Sequence, residues 1–121
     1  MKRNNELIRR IVLAIEDHPS GQAPYIEFEG YDQGEIGYHA YLLVDAGLAQ
    51  GANVTTNLSP GPQYMINNLT SAGHDFAESS RNEHIWNEVK AEMQQKGVVS
   101  TTLDVLKRML DKRLRKLLEV D

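Results

Sequence analysis

The chain has 121 residues, 40% of them hydrophobic and 25% charged, with a formal net charge of −4, which is enough apolar side chain for one compact domain rather than two. Cysteine is absent, which excludes a disulfide framework and thiolate chemistry and suits a reducing cytoplasm. No apolar run could span a bilayer, and Arg9 and Arg10 interrupt the only apolar stretch near the polar start, so neither a membrane segment nor a signal peptide is expected.

The first predicted element is a helix from about Asn4 to His18. Leu7, Ile8, Ile11, Val12 and Ile15 recur at helical spacing, Asn4 or Asn5 can cap the start, and Glu6 can pair with Arg9 and Arg10 one turn on. Pro19-Ser20-Gly21 ends it, because proline cannot continue the backbone ladder and glycine lets the chain turn. Tyr25-Ile26-Glu27-Phe28-Glu29 alternates apolar and acidic residues as a short strand with one wet face would.

A second helix is expected from about Gln33 to Ala46. Asp32 caps it, Glu35 sits in its first turn, and Ile36, His39, Ala40, Leu42, Leu43 and Ala46 form its inward side. Gly47 and Leu48 then match a helix end in which glycine takes a left-handed conformation and leucine folds back. Val54–Leu58 and Gln63–Ile66, joined by Ser59-Pro60-Gly61-Pro62, read as a hairpin, and Thr70 as the cap of a third helix. Beyond residue 80, Asn82 can cap a helix carrying Ile85, Trp86, Val89 and Met93 and ending at Gly97. A final helix follows the Ser/Thr cluster at 100–102 and runs to about Val120, with Leu103, Leu106, Leu110, Leu114 and Leu117 on one stripe amid basic residues. That stripe must pack on the domain or on a second copy of the chain.

These elements predict an α+β fold: a winged helix-turn-helix-like domain over residues 1–80 with a small β-hairpin wing, followed by a C-terminal helical extension over 81–121. The charge disagrees with the usual use of such a fold. Residues 11–80 contain no lysine or arginine and nine carboxylates, whereas residues 1–10 sum to +3 and residues 81–121 to +2. Affinity for a duplex comes largely from cations that displace condensed counterions, so an acidic reading surface is repelled.

Over its whole length the sequence also resembles family 2513 of the domains of unknown function. The resemblance rests on Met1-Lys2-Arg3, Leu7-Ile8-Arg9, Ile15-Glu16 with His18-Pro19, Gly30-Tyr31-Asp32, Tyr38-His39, Leu42-Leu43 with Asp45-Ala46-Gly47-Leu48, Leu69-Thr70 with Gly73-His74, and Trp86-Asn87. It implies a winged-helix-like architecture in a bacterial or prophage setting, and it carries over no catalytic residue.

Enzyme signatures are missing from the sequence. The four histidines, His18, His39, His74 and His84, do not form a metal-ligand spacing, and there is no nucleophile elbow or phosphate-cradling glycine loop. Glu35 with His39, His74 with Asp75, and Glu27 with Glu29 could each be read as chemistry. Packing and exposed acidic surface explain them better, so no catalytic residue, cofactor or metal site is expected.

Two functions fit the remainder. A DNA-binding regulator would offer Gln33, Glu35, Tyr38, His39 and Tyr41 to a groove, and would need Lys2, Arg3, Arg9 and Arg10 or the basic face of the last helix for phosphate. A protein-binding or regulatory adaptor would use the Tyr-rich middle and the amphipathic last helix. The charge favours the adaptor, which is expected to be a cytoplasmic homodimer. Its expected interaction surface is drawn from Tyr38, His39, Tyr41, Lys2, Arg3, Arg9, Arg10, Arg113 and Lys116.

Overall fold

The computed structural model describes residues 1–19 and 25–119. Five helices and one hairpin follow in the order α1 (Asn5–Asp17), α2 (Gln33–Asp45), β1 (Ala49–Asn53), β2 (Tyr64–Leu69), α3 (Ser71–Arg81), α4 (Glu83–Gln95) and α5 (Leu103–Leu117), an α+β architecture. Each helix start carries the expected chemistry. The side chains of Asn4, Asp32, Thr70, Asn82 and Thr102 each accept from a backbone N–H in the first turn, which satisfies a donor the helix cannot use internally. At α2 the cap is reciprocal, since Glu35 accepts from the Asp32 N–H while Asp32 accepts from the Glu35 N–H at 2.8 Å.

One apolar core joins all the elements. Leu7, Ile8, Ile11 and Val12 of α1 are fully buried against Leu43 of α2, Phe76 and Ala77 of α3, Val89 of α4, and Leu106 and Leu110 of α5. Arg81, in the last turn of α3, bonds Glu16 and Asp17 at 2.7 Å each and so places positive charge at the C-terminal end of α1. The side-chain bond to Asp17, then that to Glu16, raises the Arg81 pKa. At the end of α2, Gly47 adopts φ +77° and the Leu48 N–H donates to the Leu43 carbonyl at 2.9 Å, which turns the chain into β1.

Three expectations are corrected. Tyr25-Ile26-Glu27-Phe28-Glu29 forms no strand: Ile26, Phe28 and Tyr31 lie half-buried on the core, and Gln33 Nε2 takes the Ile26 carbonyl that a ladder would have used. The first hairpin strand is Ala49–Asn53 rather than Val54–Leu58, and the second runs on to Leu69 with an irregularity opposite Gln50 and Gly51. The Val54 N–H still donates to the Gln63 carbonyl at 2.8 Å, and side chains then draw residues 55–59 out of the ladder. The Thr55 N–H goes to Asn53 Oδ1 at 2.9 Å, the Thr56 N–H to Ser59 Oγ at 2.9 Å, and the Leu58 N–H to Thr56 Oγ1 at 3.3 Å. Ala46 is exposed rather than inward, because α2 has already ended at Asp45.

The stop expected at Pro19-Ser20-Gly21 is observed only as the end of α1 at Asp17, since Ser20 and Gly21 lie outside the described residues, as does Val120 at the expected end of the last helix. α5 packs on its own chain through Leu103, Leu106 and Leu110, all buried, whereas Leu117 is exposed.

Candidate interaction surface

Of the cations expected on an outer surface, Arg9 is internal. Its side chain is buried, Nε donates to the Ser80 carbonyl at 2.7 Å, Nη2 donates to Glu83 at 2.9 Å, and the guanidinium lies 5.0 Å from the centre of the Trp86 ring. A guanidinium can satisfy a carbonyl, a carboxylate and an aromatic face together because its donors are spread around a plane. Arg113 is likewise engaged, with Glu88 at 3.3 Å and Glu92 at 2.6 Å, and fixes α5 against α4. Arg113, then Lys96, lowers the Glu92 pKa. Arg10 is half-exposed and 3.9 Å from Glu6, whereas Lys116 is exposed in the last turn of α5.

His39 is also internal, with 1% of its surface exposed, and both ring nitrogens bond to backbone. Nδ1 lies 2.8 Å from the Glu35 carbonyl and Nε2 accepts from the Asn4 N–H at 2.9 Å, so the neutral ring protonated on Nδ1 satisfies both partners. Burial, opposed by the Glu35 carbonyl and carboxylate and reinforced by Arg3, lowers its pKa. His39 is therefore a clasp between α2 and the segment ahead of α1.

Three tyrosines form a cluster across α2 and β2. Tyr38 and Tyr41 are half-buried on α2, their ring centres are 5.9 Å apart, and Tyr41 meets Tyr64 of β2 at 5.4 Å. Beside them, a groove of about 710 Å³ between α2 and β2 is lined by Ile36, Gly37, Ala40, Tyr64, Met65 and Ile66. No charged side chain occurs from Ala46 to Gly73, so the whole hairpin is electrically neutral. It is also sticky: Leu58 is 95% exposed at its tip and Met65 60% exposed on β2.

A second groove, about 720 Å³, lies between the segment ahead of α1 and the α4–α5 connection. Lys2, Arg3, His39, Trp86, Lys90, Met93, Val98 and Val99 are among its walls. Sequence reasoning missed the contribution of α4 here. The available signal was Lys90, set between Trp86 and Met93 on one helix, and the apolar Val98-Val99 pair after Gly97. No group of three or more His, Cys, Asp or Glu side chains could hold a metal among the described residues. No helix among them is long and apolar enough to cross a membrane.

The arrangement defines a small α+β protein whose distinctive surfaces are an uncharged tyrosine-flanked hairpin and a separate apolar groove bordered by cations. The chain belongs to the family described as hypothetical protein DUF2513, which matches residues 2–99. It is 31% identical over 112 residues to an uncharacterised protein of Haemophilus influenzae strain Rd, covering 90% of this chain and 92% of that one. No solved structure matches the chain significantly.

Proposed function

We propose that this protein is a non-enzymatic adaptor of winged-helix-like build that engages another protein through α2 and the hairpin. The observation that carries the reading is the neutrality of the hairpin: from Ala46 to Gly73 the chain bears no charge, while Leu58 and Met65 are exposed and half-buried Tyr64 meets Tyr41 of α2. A surface made for phosphate would carry lysine and arginine there, whereas protein interfaces are enriched in tyrosine and methionine and depleted of charge at their centres. The burial of Arg9 and the pairing of Arg113 with Glu88 and Glu92 support the same reading, because they withdraw two of the cations a DNA-binding mode would need.

The test is fluorescence anisotropy of a labelled random-sequence duplex titrated with the protein at low salt and then at high salt. We expect no binding at either. Salt-sensitive binding would overturn the adaptor reading and direct the search to a phosphate surface made of Lys2, Arg3, Arg10 and the α5 cations. The reading includes self-association through the exposed end of α5, where Leu117 and Leu118 continue the buried stripe into solvent.

A further inference from the structure

We propose that the groove between the Met1–Asn4 segment and the α4–α5 connection binds a small amphipathic organic anion, an alkyl chain bearing a carboxylate or phosphate head. Lys2, Arg3 and Lys90 all border it, and none of them has a carboxylate within ion-pair distance among the described residues. The acids in the same walls are already engaged. Glu6 accepts from Trp86 Nε1 at 2.8 Å and lies near Arg9 and Arg10, while Glu35 closes the cap of α2. Glu35 keeps its charge in that cap, so Lys2, Arg3 and Lys90 face one uncompensated carboxylate and the balance at the groove is positive. Arg3 Nε, moreover, is withdrawn from solvent with no hydrogen-bond partner, so the guanidinium that borders the groove carries an unmet donor.

The rest of the wall is apolar. Trp86, Val89, Met93 and Leu106 form its depth, and Val98 and Val99 its rim, with Val99 97% exposed. A bare inorganic anion would leave this wall wet, and a neutral amphiphile would leave the cations without counter-charge, so the two halves together select a ligand with both characters. A volume of about 720 Å³ suits a small molecule. The walls are held in place beforehand: the Asn4 N–H donates to His39 Nε2 at 2.9 Å, while Asn5 donates to the Thr101 carbonyl at 3.2 Å and accepts from its N–H at 3.0 Å. Preorganisation of this kind lowers the entropic cost of binding.

Trp86 is the only tryptophan in the chain and lines the groove, so its fluorescence reports occupancy without a label. Decanoate and decyl phosphate, each below its critical micelle concentration, are expected to give a saturable change in Trp86 emission and to bind at least about tenfold more tightly than decanol or inorganic phosphate. Paired substitution Arg3→Gln with Lys90→Gln is expected to weaken decanoate binding by about threefold to tenfold. Val99→Asp, at an exposed rim position that does not support the fold, sets a like charge beside the anion and is expected to weaken binding by about twofold to fivefold; thermal unfolding of each variant shows that the fold is kept. No saturable change, or equal binding of decanol, overturns the proposal, as does inorganic phosphate binding as tightly as decanoate. Co-sedimentation with phosphatidylglycerol vesicles by a protein that ignores monomeric decanoate would overturn it in favour of a membrane surface.

Discussion

His39 and Arg9 are polar groups that the fold has taken inside, and each makes a measurable prediction. Protonating His39 would turn Nε2 from an acceptor into a donor facing the Asn4 N–H, next to the positive charge of Arg3 and with only Glu35 to favour the added charge. Because burial lowers its folded pKa below the ordinary 6.5, the unfolded chain takes up this proton first as pH falls. The stability His39 contributes is therefore complete above that value and is lost as pH drops below it towards the lowered folded pKa. Urea unfolding at about pH 7.5 and about pH 5 should show a larger loss for the native protein than for His39→Gln. Equal losses would mean that the clasp does not titrate. Arg9→Met keeps the apolar stem but strands the Ser80 carbonyl, and is expected to destabilise the fold by about 2 to 3 kcal/mol. Arg9→Lys should recover little of that, because an ammonium cannot serve a carbonyl, a carboxylate and the Trp86 face in the same geometry.

At the scale of the elements, the junction of α3 and α4 turns on one residue. Asn82 ends α3 with φ −70° and ψ 111° and caps α4 by accepting from the Ile85 N–H at 3.0 Å. Asn82→Ala should cost about 1 kcal/mol, and hydrogen exchange should quicken first in the opening turn of α4. Exchange spread evenly over the molecule would place the effect elsewhere. Helices of this kind were legible in the sequence because their caps, glycines and apolar stripes are local signals: Asp32 with Glu35, Gly47 with Leu48, and Thr70 all act where the sequence put them. The strands were less legible. Val54–Leu58 has the stronger β-prone composition, yet the Thr56 and Ser59 bonds decide that it loops, while Ala49–Asn53 pairs because Leu48 and Ala49 are buried beside it. The candidate surface divided in the same way. The half-burial of Tyr38 and Tyr41 follows from their places on α2, but whether a cation such as Arg9 faces water or a distant carbonyl is set by a contact 71 positions away.

For the whole molecule the open question is how far α5 remains a private part of one chain. Leu103, Leu106 and Leu110 are buried on the body, Leu114 is half-buried, and Leu117 and Leu118 are 53% and 64% exposed, so the stripe runs out of partner before the helix ends. The exposed turn is also basic, with Arg115 and Lys116, so the acidic middle of a second copy can meet it locally even though two copies of net charge −4 repel at long range. Three leucines fall well short of the roughly 1,000 Å² that a stable interface needs, which argues for a weak dimer rather than a permanent one. Sedimentation velocity should therefore show a mass that rises with protein concentration, and does so at high salt as well as low, as an apolar contact requires. Leu117→Glu with Leu118→Glu, both at exposed positions, should leave the unfolding midpoint unchanged and hold the protein monomeric at every concentration. A native protein that stays monomeric throughout would overturn self-association through this turn, and a double variant that still associates would move the self-contact to the neutral hairpin, where Leu58→Glu is the matching test.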